Sequence, residues 1–106
     1  MEAQKIIITG GATRIGAAIA ERLSGFKVQI VIQYNMSRAK GELLKKKLEK
    51  KGSKIYLIKA DLRKEKDVKK LVKFAKTKMG YLDCLINNAS VFENDKLENF
   101  SSKSWN

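Results

Sequence analysis

The chain has 106 residues, of which 43% are hydrophobic and 32% are charged, and its formal net charge is +12. This length suits one small domain rather than two, and the composition is ordinary for a globular protein. No apolar run approaches the roughly 18 residues that a membrane-spanning helix needs, and no secretory leader precedes the first strand-like run. The single cysteine, Cys84, excludes an intrachain disulfide. We therefore expect a cytoplasmic protein.

The positive charge is confined to one part of the chain. Residues 37–80 contain 17 Lys or Arg and 5 Asp or Glu, whereas the remaining residues contain 6 of each kind and are neutral. A solvated, lysine-rich helix surface is the favoured interpretation. A nucleic-acid-binding face is the less favoured alternative, because the lysines follow the polar sides of helices without a pattern of interleaved aromatic residues.

Strand-like and helix-like segments alternate along the first third of the chain. Residues 5–9 contain the continuous β-branched run Ile6-Ile7-Ile8-Thr9, which is typical of a strand buried on both faces. After a Gly-rich turn, apolar residues at positions 15, 18, 19 and 23 recur at helical spacing, and Gly25 is a natural stop for that helix. Residues 28–34 predict a second strand.

The same alternation continues to residue 88. Ser37 is a candidate N-cap for a second helix that closes at Gly52. Residues 54–60 predict a third strand, a third helix follows Asp61 and ends before Gly80, and residues 82–88 predict a fourth strand. The second helix is expected to point Ala39, Leu43, Leu44 and Leu48 inward, and the third helix Val68, Leu71, Val72, Ala75 and Met79.

The predicted order βαβαβαβ requires parallel pairing with right-handed crossovers. The fold class is therefore α/β, a doubly wound parallel sheet of about four strands in the order 3-2-1-4. In that order the fourth strand, whose composition suits the interior of a sheet, lies at an edge and invites association. We therefore expect residues 1–106 to be an incomplete portion of a larger sheet, or a chain that needs a partner.

Residues 9–16, Thr-Gly-Gly-Ala-Thr-Arg-Ile-Gly, join the first strand to the first helix. Gly10 lets the chain turn sharply, and Gly16 permits close packing of helix against strand. The backbone N–H groups around Thr13, Arg14 and Ile15 begin a helix, where partial positive charge can hold a pyrophosphate. Its position between strand and helix makes this turn a candidate dinucleotide-binding site.

This turn resembles the T-G-x-x-x-G-x-G fingerprint of the short-chain dehydrogenase/reductase family, with Arg14 at the middle glycine. Asp61-Leu62 resembles that family's adenine-binding pair, residues 87–90 (Asn-Asn-Ala-Ser) resemble its N-N-A-G motif, and the loop ending in Trp105 resembles the segment before its next long helix. The resemblance implies a Rossmann-type NAD(P)-dependent oxidoreductase. It assigns cofactor binding to Gly10, Thr13, Arg14, Ile15, Gly16, Tyr34, Asn35, Ser37, Arg38, Asp61, Leu62, Asn88, Ala89 and Ser90.

Three features resemble the pteridine reductases within that family: Arg14 in the fingerprint, Tyr34-Asn35-Met36-Ser37 after the second strand, and residues 87–92. This resemblance implies a pterin or a similar carbonyl- or imine-bearing substrate. The substrate-contacting residues would be Arg14, Ser90 and Phe92, with Phe92 stacking on the pterin ring. The alternative is that Phe92 is only a hydrophobic anchor of its loop.

The end of the second strand favours NADPH over NADH. NAD-binding members place an acid there to bind the ribose 2′-hydroxyl, and that acid would repel a 2′-phosphate. This chain offers no acid there, while Ser37, Arg38 and Arg14 can donate to a phosphate. Met36 departs from the pattern, because pteridine reductases carry a basic residue at that position.

Catalytic residues are missing from the pattern. Family members transfer a proton with Ser and a Tyr-x-x-x-Lys pair; the nearest match, Tyr34 with Arg38, lies at the adenosine end, and Tyr56 with Lys59 is spaced wrongly. Histidine is absent, and no cluster has metal-ligand spacing. We interpret residues 1–106 as the NADP-binding portion of one Rossmann domain without its catalytic half. Such enzymes usually form homo-oligomers when complete; the alternative is a non-catalytic NADP-binding or regulatory module.

Overall fold

The computed structural model describes residues 3–12 and 14–88, which form four strands and three helices. The element order confirms the predicted alternation. The elements are β1 (Gln4–Thr9), α1 (Arg14–Leu23), β2 (Val28–Tyr34), α2 (Arg38–Glu49), β3 (Lys54–Lys59), α3 (Glu65–Met79) and β4 (Cys84–Asn87).

The four strands form one parallel sheet in the order β3-β2-β1-β4, as predicted. In this register Ile7 lies beside Val31 in β2 and beside Leu85 in β4. β1 and β2 are therefore the central strands, and within the described part of the chain β3 and β4 are the two edges. Because parallel strands need crossover connections, a helix lies between each consecutive pair.

The sheet is covered on both faces, because alternate side chains of its central strands point to opposite sides. Ile6, Ile8, Ile30 and Ile32 pack with α1 and α2 on one face. Ile7 and Val31 pack with α3 on the other face. The α3 prediction is confirmed, since the five apolar residues expected to point inward are all buried. The continuous apolar runs of β1 and β2 reflect this two-sided burial.

The inward faces of α1 and α2 differ from the prediction. In α1, Ile15 is 67% exposed and Ala18 is also exposed, while Gly16 and Ala20 face the sheet. The reason is the close approach of α1 to the turn before it, which admits only the smallest residues on the inner side. Larger apolar residues of α1 lie beside this narrow stripe or face solvent.

In α2 the buried stripe is Gly41, Leu44 and Leu48, so the inward assignment of Ala39 and Leu43 was wrong. Leu43 is 69% exposed. Adjacent helical positions differ by about 100° around the axis, so Leu43 and Leu44 cannot both face the sheet centre. Ser37 occupies the predicted N-cap position, but its side chain makes no capping hydrogen bond.

β4 is shorter than the predicted 82–88 segment, and Cys84 is exposed rather than part of an apolar interior. Leu85, Ile86 and Asn87 are only half-buried, which fits a strand paired on one side within the described residues. The lysines on the outer side of α3 are exposed, as the charge distribution predicted. None of the described helices is long and apolar enough to cross a membrane.

Candidate functional site

The carboxyl ends of the four parallel strands meet at one edge of the sheet, and every connection that the sequence singled out leaves from that edge. These connections are the turn from β1 into α1, the loop from β2 into α2, the loop from β3 into α3, and Asn88 directly after β4. Open α/β sheets bind ligands outside this edge, where connections diverge to opposite faces. Here the crossover through α1 leads from β1 to β2, and the crossover through α3 on the opposite face leads to β4 on the other side of β1, so the strand order reverses at β1.

The turn after β1 is tight, and two glycines make it so. Gly10 has a φ of 64°, in the left-handed region that favours glycine. A Cβ on Gly16 would lie 2.3 Å from the Gly10 carbonyl oxygen and 2.6 Å from the Gly11 Cα. The start of α1 therefore rests directly on the turn backbone, so the sharp turn predicted at Gly10 and the close packing predicted at Gly16 are both present.

The N-terminus of α1 begins at Arg14, so its first backbone N–H groups have no acceptor within the helix. These amides and the helix dipole make the position suitable for an anion. Arg14 has a positive φ of 29°, at the position where the family fingerprint has glycine. Arg14 and Ile15 are both exposed beside this terminus, whereas Thr13 lies outside the described residues.

A hydrogen-bonded cluster joins β1 to β4 beneath the turn. The buried Thr9 hydroxyl donates to Asn87 Oδ1 at 2.9 Å and accepts from the Asn88 backbone N–H at 2.9 Å. Asn88 Nδ2 donates to the Gly10 carbonyl at 3.2 Å. The two asparagines of the 87–90 motif therefore hold the end of β4 against the start of the turn.

A second buried contact joins the turn to β2 and β3. The Gly10 N–H donates to Gln33 Oε1 at 2.7 Å, and Gln33 Nε2 donates to the Ala60 carbonyl at 2.6 Å. The Gly11 N–H donates to the Gln33 carbonyl, and the Ala60 N–H donates to the Tyr34 carbonyl. The Gly10 N–H and carbonyl are both used inside the protein, so Gly10 shapes the site through its turn.

The loop from β2 into α2 contains the residues expected to choose between the two cofactors. Tyr34, one of the residues predicted to bind the cofactor, is buried on the α1–α2 side of the sheet, where its side chain packs in the core. Asn35 and Ser37 are half-buried, and Arg38 is exposed at the first turn of α2. Met36 is 90% exposed. The loop therefore offers polar and basic groups and no acid.

The loop from β3 into α3 holds Asp61 in a defined geometry. Arg63 Nε and Nη2 donate to the two Asp61 carboxylate oxygens at 3.0 and 3.1 Å, and the Arg63 backbone N–H donates to Oδ1 at 3.0 Å. These hydrogen bonds, the side-chain ones first, lower the pKa of Asp61 to about 2. The Asp61 N–H donates to Asp67 Oδ2. The Leu62 side chain is buried, and its N–H has no acceptor among the described residues.

The structure thus brings most of the predicted cofactor residues to one edge, on four connections that hydrogen bonds tie together. Ala89, Ser90 and Phe92 lie outside the described residues, as does Thr13. No cluster of three or more potential metal-ligating side chains occurs within residues 3–12 and 14–88. The arrangement offers backbone amides and basic side chains for an anion, and an ionised carboxylate for a hydrogen-bond donor.

Known proteins share this sequence pattern over nearly its whole length. Residues 4–106 match the family described as short chain dehydrogenase. The chain belongs to the short-chain dehydrogenase family. The (S)-acetoin-forming diacetyl reductase of Staphylococcus epidermidis, a similar curated protein, is 40% identical over 85 residues, which cover 80% of this chain and 33% of that reductase.

Solved structures of short-chain dehydrogenases share the fold. One from Oenococcus oeni superimposes with a TM-score of 0.80 at 28% identity, covering 97% of this chain and 55% of that one. Another, from Burkholderia cenocepacia in complex with NADP, has a TM-score of 0.84 at 26% identity, covering 97% and 49%. The chain spans between 33% and 41% of the length of the first curated short-chain dehydrogenase relatives that it matches.

The motifs of this short-chain dehydrogenase chain did not point to three residues of the site: Thr9 as a bridging hydroxyl, Gln33 and Arg63. Gln33 had a signal, because it is a polar residue in a strand covered on both faces and must find a partner there. Arg63 had a weaker one, because a cation two residues after an acid in a turn can fold back onto it. Neither signal names the partner that the tertiary structure supplies.

Proposed function

We propose that this chain is the NADPH-binding portion of a short-chain dehydrogenase that reduces a carbonyl or imine substrate. The observation that carries the proposal is the contact between Gly16 and the Gly10 carbonyl, which places the α1 N-terminus directly after the central strand. Such a terminus holds a pyrophosphate. Asp61 would accept from the adenine amino group, and the Leu62 N–H would donate to the adenine ring.

When bound, NADPH supplies the hydride for the reduction, and this chain's residues orient it. The α1 amides would hold the pyrophosphate, and the loop after β2 would hold the adenosine ribose. Asn88 follows the end of β4, on the side of β1 away from Asp61, and would lie toward the nicotinamide. Proton transfer is assigned to none of residues 1–106, because they contain no Tyr-x-x-x-Lys pair.

The preference for NADPH rests on the charge after β2. Ser37 and the exposed Arg38 can donate to a 2′-phosphate, and no carboxylate lies in residues 33–38 to repel one. The bound NADP of the Burkholderia cenocepacia dehydrogenase supports the same cofactor class. Arg14 at the α1 N-terminus adds a second cation beside the phosphates.

For the substrate we propose a pterin or a similar flat ring with a carbonyl or imine. The support is the set of residues that resemble pteridine reductases: Arg14, Ser90 and Phe92, of which the structure describes Arg14. A phenylalanine can stack on a pterin ring. When complete, the enzyme would act as a homo-oligomer. The test is whether a pterin stabilises the complete enzyme against thermal unfolding. If another carbonyl compound stabilises it and a pterin does not, the substrate assignment is contradicted and the cofactor assignment still stands.

The test of cofactor binding is a calorimetric titration of the chain with NADPH and with NADH. Arg38→Glu places an acid at the start of α2, directly after the loop that follows β2, and should weaken NADPH binding at least about tenfold, while NADH binding changes by less than about threefold. Lys46→Glu is the matched control, because it makes the same charge change at an exposed position of α2 away from the loop. Equal wild-type affinity for both cofactors would contradict the NADPH preference. A chain that binds neither cofactor, but binds an oligonucleotide in a salt-sensitive manner, would favour the nucleic-acid alternative.

A further inference from the structure

Gln33 is a polar side chain with 3% of its surface exposed, in a strand whose other buried side chains are apolar and belong to two cores. Its amide group uses both of its ends. Oε1 accepts the Gly10 N–H at 2.7 Å, and Nε2 donates to the Ala60 carbonyl at 2.6 Å. A single side chain of β2 therefore joins the turn after β1 to the loop after β3.

The two atoms that Gln33 joins belong to different halves of the proposed site. Gly10 begins the turn that leads to the phosphate-binding terminus of α1, and Ala60 directly precedes Asp61, the proposed adenine acceptor. The backbone adds to the link on both sides, since Gly11 donates to the Gln33 carbonyl and Ala60 donates to the Tyr34 carbonyl. The connection between β3 and α3, which contains Asp61, is called the adenine loop, and the connection between β1 and α1 is called the phosphate turn. The Gln33 side-chain amide lies below both and sets the spacing between them.

We infer that Gln33 is a positioning residue that holds the phosphate turn and the adenine loop at the separation that one adenosine diphosphate group requires. This inference rests on the proposed function, because it takes the turn and the loop to bind the two ends of one ligand. A ligand that spans two subsites gains affinity from their fixed separation, because binding at one end raises the effective concentration at the other. Loss of Gln33 therefore weakens the spanning ligand more than it weakens either end alone.

The test uses Gln33→Met, which keeps the length and removes both polar atoms, and Gln33→Asn, which stays polar but is too short to reach both partners. Gln29→Met is the matched control. Gln29 lies in the same strand at its opposite end, and its side chain makes no hydrogen bond among the described residues. If Gln33→Met does not fold, Gln33→Asn carries the same expectation.

Three ligands are titrated by NMR: adenosine, pyrophosphate and adenosine diphosphate. Both Gln33 variants should weaken adenosine diphosphate at least about tenfold, with less than about threefold change for adenosine or pyrophosphate. Gln29→Met should leave all three unchanged. An unchanged ratio of adenosine diphosphate to adenosine affinity in the Gln33 variants would overturn the positioning role while NADPH binding by the wild type stands.

A second readout needs no ligand. The Gly10 amide should exchange with solvent at least about tenfold faster in both Gln33 variants, because its buried acceptor is lost, and at an unchanged rate in Gln29→Met. Unchanged Gly10 exchange in the Gln33 variants would overturn the inference at its first step. A wild-type chain that binds neither NADPH nor adenosine diphosphate would instead overturn the proposed function, and the positioning role with it.

Discussion

A single added methyl group at Gly16 tests the geometry of the whole candidate site. In Gly16→Ala the new Cβ would lie 2.3 Å from the Gly10 carbonyl oxygen, 2.6 Å from the Gly11 Cα and 2.9 Å from Asn88 Nδ2. All three separations are well inside the roughly 3.5 Å at which such atoms attract each other. Two of these atoms belong to the backbone and cannot rotate away, so α1 must move off the turn.

Two opposing free energies decide the size of the effect. Overpacking of this kind costs about 1–3 kcal/mol, and rigid backbone neighbours place Gly16→Ala at the upper end. Alanine is better than glycine inside a helix by about 1 kcal/mol, which offsets part of the loss. We expect a net loss of about 2 kcal/mol, which for a chain of this size lowers the melting temperature by about 8–16 °C.

Gly41→Ala is the matched control, because Gly41 is also a buried glycine on the inner face of a helix. Its added Cβ would lie 3.5 Å from the nearest atom, a methyl carbon of Leu57, which is an ordinary contact. The helix preference then acts alone, and Gly41→Ala should raise the melting temperature by about 4–8 °C. Thermal unfolding followed by circular dichroism measures both variants, and NADPH titration should show loss of binding in Gly16→Ala only. If Gly16→Ala raises the melting temperature as Gly41→Ala does, the close approach of α1 to the turn is refuted.

Three further predictions concern the same edge of the sheet. Arg14→Gly removes a non-glycine residue from a positive φ of 29°. Denaturant unfolding should therefore show no loss of stability, while calorimetry should show weaker NADPH binding because a cation is lost. A loss of stability would contradict the backbone argument. The carboxyl of Asp61 should titrate near pH 2, and Arg63→Ala should return its pKa toward 3.8. Because its folded-state pKa is depressed, Asp61 stabilises the folded chain above pH 3.8 and loses that contribution as the pH falls toward 2. NMR titration and acid unfolding check this. A titration midpoint near pH 4 for Asp61 in the wild type would contradict the ion pair with Arg63. Thr9→Val removes the hydroxyl that accepts from the Asn88 N–H and should cost about 1–3 kcal/mol in chemical unfolding, whereas Thr9→Ser keeps it and should cost clearly less; equal losses would show that the lost methyl group matters more than the hydroxyl.

The fold was largely predictable because its signals are local. The β-branched runs, the helical spacing of apolar residues and the glycines between them each depend on a few neighbouring positions. The right-handed crossover rule then leaves few topologies for a βαβαβαβ chain. The packing role of Gly16 could be predicted for the same reason, because Gly16 lies in the first turn of the helix that follows the first strand.

The inward faces of α1 and α2 were harder to predict, because each helix carries more apolar residues than one stripe can bury. Ile15 and Leu43 fit the helical spacing as well as their buried neighbours do. The choice between them is made by how closely the helix approaches the sheet. At Gly16 that approach is so close that only the smallest side chains fit, and no local pattern states that distance.

The sequence by itself therefore determined the order of the elements, the class of sheet and the chemistry offered at its carboxyl edge, since backbone turns, apolar spacing and charge are properties of short segments. Only the tertiary structure decided how that edge is held together. Thr9 is hydrogen-bonded to Asn87, which is 78 residues away in the sequence, and Gly10 is hydrogen-bonded to Gln33, which is 23 residues away. These pairs exist because the parallel register brings distant strand ends side by side, and a hydrogen bond forms only where that register places donor and acceptor within about 3 Å.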